Sequence, residues 1–425
     1  MRTEKNNIFH GIDWTLITLY ILLIAFGWMT IYATSVTEDS TTTFDLTTRY
    51  GKQLLWIILC VPLIIFILFF NAKFYEKYAS ILYFASMLSL AGLFILGKSI
   101  NGATSWYNFG FMGLQPSEFA KAFTALAVAK LLSDKQYNLK LIKNQIKAFV
   151  IIFSPAILIA LQPDYGSVLI YLSFFFVLNR EGLTLNYILL GALAVVLFLL
   201  TLLYGAANII AVVFSIITLL LFYFLKRNKG FLKFNWHKVV GIYTILALFI
   251  FSTSFIYNDF FEQHQRDRFD ILLGISKDTK KIGYNTQQSV LAISSGGLKG
   301  KGYLQGDRTQ GKFVPEQDTD YIFSAVGEEW GFLGTTFVIV LFMLLLYRII
   351  YLAETHKNKF GRIYGYGLAS ILFFHLVINV GMVIQLLPTI GIPLPFFSYG
   401  GSSLWGFTLL LFIFIKLDAN KSYDW

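Results

Sequence analysis

The sequence predicts an all-α, polytopic integral membrane protein, a bundle of about twelve helices, and three observations predict it. Apolar residues fill 56% of the 425 positions and charged ones 14%, where soluble proteins have roughly 45–50% and about 25%. Polar surface that sparse could not cover a core holding 43 Phe, 24 Tyr and 8 Trp in water. Twelve apolar runs approach the ~20 residues that cross a hydrocarbon layer of ~30 Å. Lysine and arginine, finally, gather on alternate connections between those runs. The same arithmetic excludes disorder, collagen and a disulfide scaffold.

The first run, 14–37, carries no charge and is flanked by Glu4 and Asp13 as well as Arg2 and Lys5. It is longer than a signal-peptide core and reads as an uncleaved span. Further runs follow at 53–70, 78–97, 116–132, 148–162, 164–179, 185–204, 207–225, 238–257, 322–347, 363–387 and 403–415. With the N-terminus inside, 21 of the 34 basic residues fall on cytoplasmic connections and three, Arg49, Lys52 and Lys98, in short outer loops. Lys121 lies within a span, and nine sit in the segment 258–321. The 21-to-three bias sets the orientation by the positive-inside rule. Basic loops against anionic lipid heads also account for the net charge of +10 without nucleic acid.

Two stretches break the regular alternation. Residues 258–321 form the one long hydrophilic excursion, with nine basic and nine acidic residues and a glycine-rich part at 296–306. By the alternation it lies outside, which points chemistry at the outer face. The run 363–415 has no formally charged residue over 53 positions, yet three of the eight prolines interrupt it within 387–403. Proline inside a helix costs ~3 kcal/mol, so a turn at the outer surface is expected there, of a kind tolerated only where protein buries it or it lines a wet cavity. The single cysteine, Cys60, excludes a disulfide framework, and the five histidines lack metal-ligand spacing, so a protein-borne zinc site is not expected.

Four places carry candidate chemistry. In LQPSEFAK (114–121), Pro116 suits a first helical position, and Glu118 and Lys121 stand three apart on one helix face. They read either as a capped start with a snorkelling lysine or as a cation held inside the bundle to meet an anion. Asp164, in LQPDYGS (161–167), reads as a turn residue or as a carboxylate facing Lys121 or a substrate. GGLKGKG (296–302) resembles a phosphate loop but lacks the Ser or Thr after its lysine; a flexible turn is the expected use. Residues 313–334 place five carboxylates at a loop-to-span junction, as caps and ion pairs or with one acting as a general base.

Three separated motifs, LQPSEFAK (114–121), GYNTQQSVLAISSGGLKGKGYLQG (283–306) with FVPEQDTDYIFSAVGEEWGFLG (313–334), and LPTIGIPLPFFSYGGSS (387–403), resemble the SEDS family, named for shape, elongation, division and sporulation. The likeness covers most of the chain and is nearer to the elongation members than to the division members. It implies a glycosyltransferase that polymerises lipid II into glycan strands during elongation, on the outer face of the cytoplasmic membrane. Its implied partners are the nascent strand, a class B penicillin-binding protein and other elongation-complex membrane proteins. The family's essential aspartate maps to Asp320, its loop tryptophan to Trp106, and its Glu and Lys to Glu118 and Lys121.

Two departures stand out. Asp318 occupies the place of the family's usual histidine, and three hydrophobic runs within 185–257 stand where one is expected, which implies a ten-span core with an added helical pair.

On this reading Asp320 is the base for an acceptor sugar hydroxyl. Lys121, with Lys52 and Arg49 as weaker candidates, neutralises the departing diphosphate, and a divalent cation could share that task. Glu118 orients Lys121, and Ser398, Gly400 and Gly401 form a cavity wall. The alternatives are a lipid II flippase and a non-catalytic scaffold that activates the penicillin-binding partner; a carboxylate in the outer loop favours the enzyme.

Overall fold

The computed structural model describes residues 11–36, 45–100, 103–110, 113–227, 231–261, 263–275 and 282–421. The chain divides into two compact units, residues 1–183 with 284–425, and residues 184–283. The first begins with α1 (Trp14–Ser35), α2 (Arg49–Phe69) and α3 (Ala72–Leu96). A hydroxyl or carboxylate caps the first two: Asp13 accepts from Leu16 N and Thr48 from Gly51 N, which satisfies donors a helix start leaves open.

A short antiparallel sheet follows, β1 (Lys98–Ile100), β2 (Ala103–Asn108) and β3 (Gly113–Leu114), in the order β1-β2-β3. These short strands sit in a chain whose other elements are all helical, as expected. The Asn101-Gly102 pair between the first two strands, flanked by Ile100, Thr104 and Trp106, is the hairpin signal that hydropathy counting passes over.

The unit continues with α4 (Pro116–Ser133), α5 (Ile142–Ala160), α6 (Tyr165–Ile170) and α7 (Phe174–Arg180), the last two joined by a 3₁₀ turn. The other unit holds α8 (Asn186–Tyr204), α9 (Ala206–Arg227), α10 (Phe231–Phe255), which runs into a π-helical turn, and α11 (Gln263–Leu272). Leu197, Ile209 and Ile250 form its core. The interval 185–257 thus holds three apolar helices, and all three lie in this second unit. Beyond it come α12 (Ile282–Gly296), α13 (Asp307–Gln310), α14 (Ile322–Thr355), α15 (Lys359–Val383) and α16 (Gly401–Ala419).

Ten helices among the described residues are long and apolar enough to cross a membrane. With α4, which carries Glu118, Lys121 and Lys130, and the interrupted 165–180 segment, they account for the twelve apolar runs. The protein is a multi-pass membrane protein. Several helices outrun their apolar stretch: α2 starts at Arg49 rather than 53, and α14 continues to Thr355 rather than 347. Charged ends prolong a helix past the hydrocarbon at little cost, because the backbone bonds stay paired. The long excursion is also more ordered than a loop, since it contains α11, α12 and α13.

In the first unit α15 packs on α14 and α4, α4 on α3 and α16, α16 on α2, and α1 on α14. Helices α4, α15 and α16 therefore form the centre. Gly406 lets α4 and α16 approach closely, since a Cβ there would lie 2.9 Å from that of Glu118. Helix α14 is broken at Gly331, where φ is +62°. The 296–302 segment splices onto that break: Lys301 N donates to Glu328 O (3.0 Å), Gly302 N to Glu329 O (3.0 Å) and Phe332 N to Gly297 O (2.9 Å). A Cβ on Gly300 would sit 2.1 Å from Glu329 O. The glycines of the phosphate-loop lookalike thus permit backbone contact with a broken helix rather than supply a flexible turn.

Candidate active site

Asp320 lies half-buried in the turn that leads into α14. The 387–400 stretch between α15 and α16 clasps this turn through main-chain bonds. Tyr399 N donates to Asp318 O (2.8 Å), and Ser398 Oγ donates to Thr319 O (2.6 Å) while accepting from Leu394 N (2.9 Å). Asn379 of α15 closes the clasp, its Nδ2 donating to Asp320 O (2.8 Å) and to Ile392 O (2.7 Å). Three consecutive carbonyls, 318 to 320, are thus each held by a donor, which sets the backbone that carries the carboxylate. Gly391, at φ +75°, faces that carboxylate: a Cβ there would lie 3.2 Å from Asp320 Oδ2. The prolines that predicted a surface turn therefore shape a cradle for Asp320.

Asp318 points elsewhere. Its side chain is 6% exposed and pairs with Arg49 at the start of α2, whose own side chain is half exposed. Burial pushes the Asp318 carboxyl above the usual carboxylate range, and Arg49 opposes that shift. A carboxyl raised on folding binds protons in the native state that the unfolded chain has lost, so its contribution to stability falls as pH rises through the window above 3.8. Arg49→Gln should therefore destabilise the protein by about 1 kcal/mol at neutral pH, the modest figure reflecting Arg49's exposure to solvent. The deficit should shrink as pH is lowered and vanish in an Asp318→Asn background, measured by thermal unfolding in detergent. A deficit independent of pH would disprove the pairing.

Glu118, Lys121 and His375 form a second cluster. Lys121 Nζ reaches Glu118 Oε1 at 2.9 Å and His375 Nε2 at 3.0 Å, and lies 4.9 Å from the centre of the Phe407 ring. His375 Nδ1 is 3.2 Å from Pro393 O. An ammonium only donates and a carbonyl only accepts, so these contacts assign a neutral imidazole with its proton on Nδ1. All three side chains are buried, Lys121 at 1% exposure. Glu118 and His375 hold the Lys121 ammonium between them.

Asp164 bonds to Gln115 and Ser167. It caps α6, accepting from Ser167 N (3.1 Å), Ser167 Oγ (2.9 Å) and Gln115 Nε2 (2.9 Å). Gln115 N donates to Ser402 Oγ at 3.1 Å, which donates in turn to Gly113 O at 2.7 Å, so α4, α6 and α16 are joined at one point. Gly400 N donates to Gln53 Oε1 (3.1 Å), and Gly401 makes room for the Trp56 indole, which a Cβ would approach to 2.6 Å. Trp106 is half-buried on β2, opposite Lys98 in register, and Lys52 is exposed on α2. The structure thus gathers Asp320, Ser398 and the Arg49–Asp318 pair around one turn. Lys121 and Glu118 are buried between helices, and half-buried Asp164 joins the starts of α4 and α6.

Sequence reasoning passed over His375 and Asn379. They stand four apart on one face of α15 and hold the adjacent carbonyls of Pro393 and Ile392. Polar residues at that spacing within an uncharged span were a usable signal. Among the described residues no group of three or more His, Cys, Asp or Glu is placed to hold a metal ion.

A family model for the cell cycle proteins FtsW, RodA and SpoVE matches residues 13–215 and 209–423. The chain belongs to this family. The peptidoglycan glycosyltransferase RodA of Treponema pallidum (strain Nichols) is 31% identical over 96% of this chain and 98% of its own. The peptidoglycan glycosyltransferase MrdB of Escherichia coli (strain K12) is 34% identical over 78% and 75%. The stretch that carries Asp320, its clasp and the cluster on α4 all fall within the region this family shares.

Among solved structures, one describing the structural coordination of polymerization and crosslinking by a peptidoglycan synthase complex aligns with a TM-score of 0.69 at 25% identity, covering 97% of this chain and 99% of that one. The crystal structure of Thermus thermophilus rod shape determining protein RodA aligns at 0.61 and 22% identity over 97% and 98%, which shows a shared fold.

Proposed function

We propose that this chain joins lipid II units into glycan strands on the outer face of the cytoplasmic membrane, with Asp320 as general base. It is a peptidoglycan glycosyltransferase of the RodA and MrdB kind, the relatives it resembles at 31% and 34% identity, and its work belongs to cell elongation. The observation that carries the assignment of the base is the clasp: each carbonyl from 318 to 320 is held, and the half-buried Asp320 carboxylate sits beside a glycine that leaves it room.

In the reaction, Asp320 takes the proton of the acceptor's 4-hydroxyl as that oxygen bonds to the donor's anomeric carbon. The bond from that carbon to the diphosphate oxygen breaks, and its electron pair leaves with undecaprenyl diphosphate. Attack opposite an α-linked leaving group inverts the centre and gives a β-1,4 bond, through an oxocarbenium-like state. Charge on the departing diphosphate meets the exposed part of Arg49 and Lys52, three residues along the same helix. Lys121 acts from its buried pair on position rather than by contact. A divalent cation carried in with the diphosphate would supply similar neutralisation; among the described residues no cluster of acidic, histidine or cysteine side chains is placed to hold one.

The partner is a class B penicillin-binding protein that crosslinks the strand, a reading supported by the synthase complex whose fold this chain shares. Purified chain given fluorescent lipid II in detergent should form polymer without a partner's catalytic residues. Lipid scrambling without polymer would favour a flippase, and polymer that appears only with an active partner glycosyltransferase would favour a scaffold.

A further inference from the structure

A cleft beside α12 is used by none of the chemistry above. It measures about 400 Å³, within the ~300–1,000 Å³ typical of small-molecule sites. Tyr284, Gln288 and Ser295 of α12 line one side. At spacings of four and seven they share a single helix face. Lys301 and Arg308 line the other side, with Phe313 exposed at the rim.

The far wall is rigid. Glu328, fully buried, accepts from Lys301 Nζ (2.9 Å), Arg308 N (3.0 Å), Thr309 N (2.8 Å) and Thr309 Oγ1 (2.8 Å), and so pins both cation-bearing segments to α14. Preorganisation of this kind is what a binding site needs and a solvated surface does not.

The opposite face of α12 is tied toward the clasp. Thr286 Oγ1 lies 3.2 Å from the Tyr321 hydroxyl and 3.1 Å from Thr389 Oγ1, and Ser289 Oγ donates to Val383 O at 3.0 Å. Tyr321 directly follows Asp320. One helix thus separates the cleft from the residues around the base.

Charge and shape identify the ligand class. The Lys301 ammonium is shared between Glu328 and Asp307, each at 2.9 Å, and the Arg308 guanidinium is bonded to Gln288. Among these lining groups two cations are matched by two carboxylates, so a diphosphate gains little net attraction. What remains are two aromatic rings, on which the C–H face of a pyranose can stack, together with amide, hydroxyl and guanidinium groups suited to sugar hydroxyls and N-acetyl groups. We propose that this cleft is a saccharide subsite that holds a segment of the glycan strand away from the reacting end. The proposal rests on the function assigned above but is tested without turnover.

The β-1,4-linked N-acetylglucosamine tetramer, titrated into the full chain in detergent and followed by saturation-transfer NMR and calorimetry, should bind saturably, and pyrophosphate should not displace it. Tyr284→Ala and Gln288→Ala should each weaken binding by about tenfold, and Tyr284→Phe, which keeps the ring, by about threefold or less. Phe313→Leu, at an exposed rim position where folding is not at stake, should weaken it by about threefold or more. Unsaturable binding, displacement by pyrophosphate, or Phe313→Leu and Gln288→Ala proteins that bind like wild type would overturn the subsite. Because no donor is present, tetramer binding stands or falls apart from glycosyl transfer: absence of polymer with lipid II leaves it untouched, and its loss leaves Asp320 untouched.

Discussion

Asp320→Asn is expected to lower the rate of lipid II polymerisation by about 10²–10⁴-fold, the range a positioned general base supplies. The substitution keeps size and shape and removes only the capacity to accept the proton. The carbonyl of residue 320 would still accept from Asn379, and the neighbouring carbonyls would still be held by Ser398 and Tyr399. The thermal midpoint in detergent should therefore match wild type while polymer on a gel of labelled product disappears. An Asp320→Asn protein that polymerises at the wild-type rate would end the assignment. Loss of polymer together with loss of folding would instead make Asp320 a structural residue. Asp318→Asn separates the two acids: that carboxyl is buried on Arg49, so its removal should affect stability and leave most of the rate.

Lys121→Met should destabilise the fold by about 3–5 kcal/mol, the cost of leaving a buried charge without its partner. Glu118 is 4% exposed, its Oε1 accepts from the ammonium at 2.9 Å, and its Oε2 has no partner among the described residues. Removing the lysine leaves that carboxylate uncompensated and also frees His375 Nε2, the link that leads through Nδ1 to Pro393 O and the clasp. Glu118→Gln with Lys121→Met removes both charges and should recover much of the lost stability, because a neutral pair of similar volume no longer buries an ion. Thermal unfolding of the two single variants and the double variant measures the coupling. If the double variant is as unstable as the sum of the singles, the pair does not act as one unit.

Part of this site was open to reading from residue order. Asp320 stands at a loop-to-span junction, and the prolines between 388 and 395 announced a break in an uncharged stretch. Their meeting was not readable, because the clasp is made of main-chain bonds and every residue has the same donor and acceptor. The same reason hid the splice at Gly331: the glycines at 296–302 suggested looseness, while a broken helix 30 residues later turned them into contact points. Lys121 shows the converse. Its intramembrane place called for a partner, and spacing supplied Glu118, but the histidine that completes its surroundings lies 254 residues away.

Membrane insertion and helix number follow from hydropathy, since water and lipid act on each segment separately and need no knowledge of its neighbours. Which carboxylate is poised and which is buried depended on packing. Asp318 and Asp320 are two residues apart and chemically identical, and they part company because α2 brings Arg49 to one, while Asn379 of α15 holds the carbonyl of the other and Gly391 faces its carboxylate. Desolvation and hydrogen bonding are properties of a surrounding, and surroundings exist only once distant segments have met.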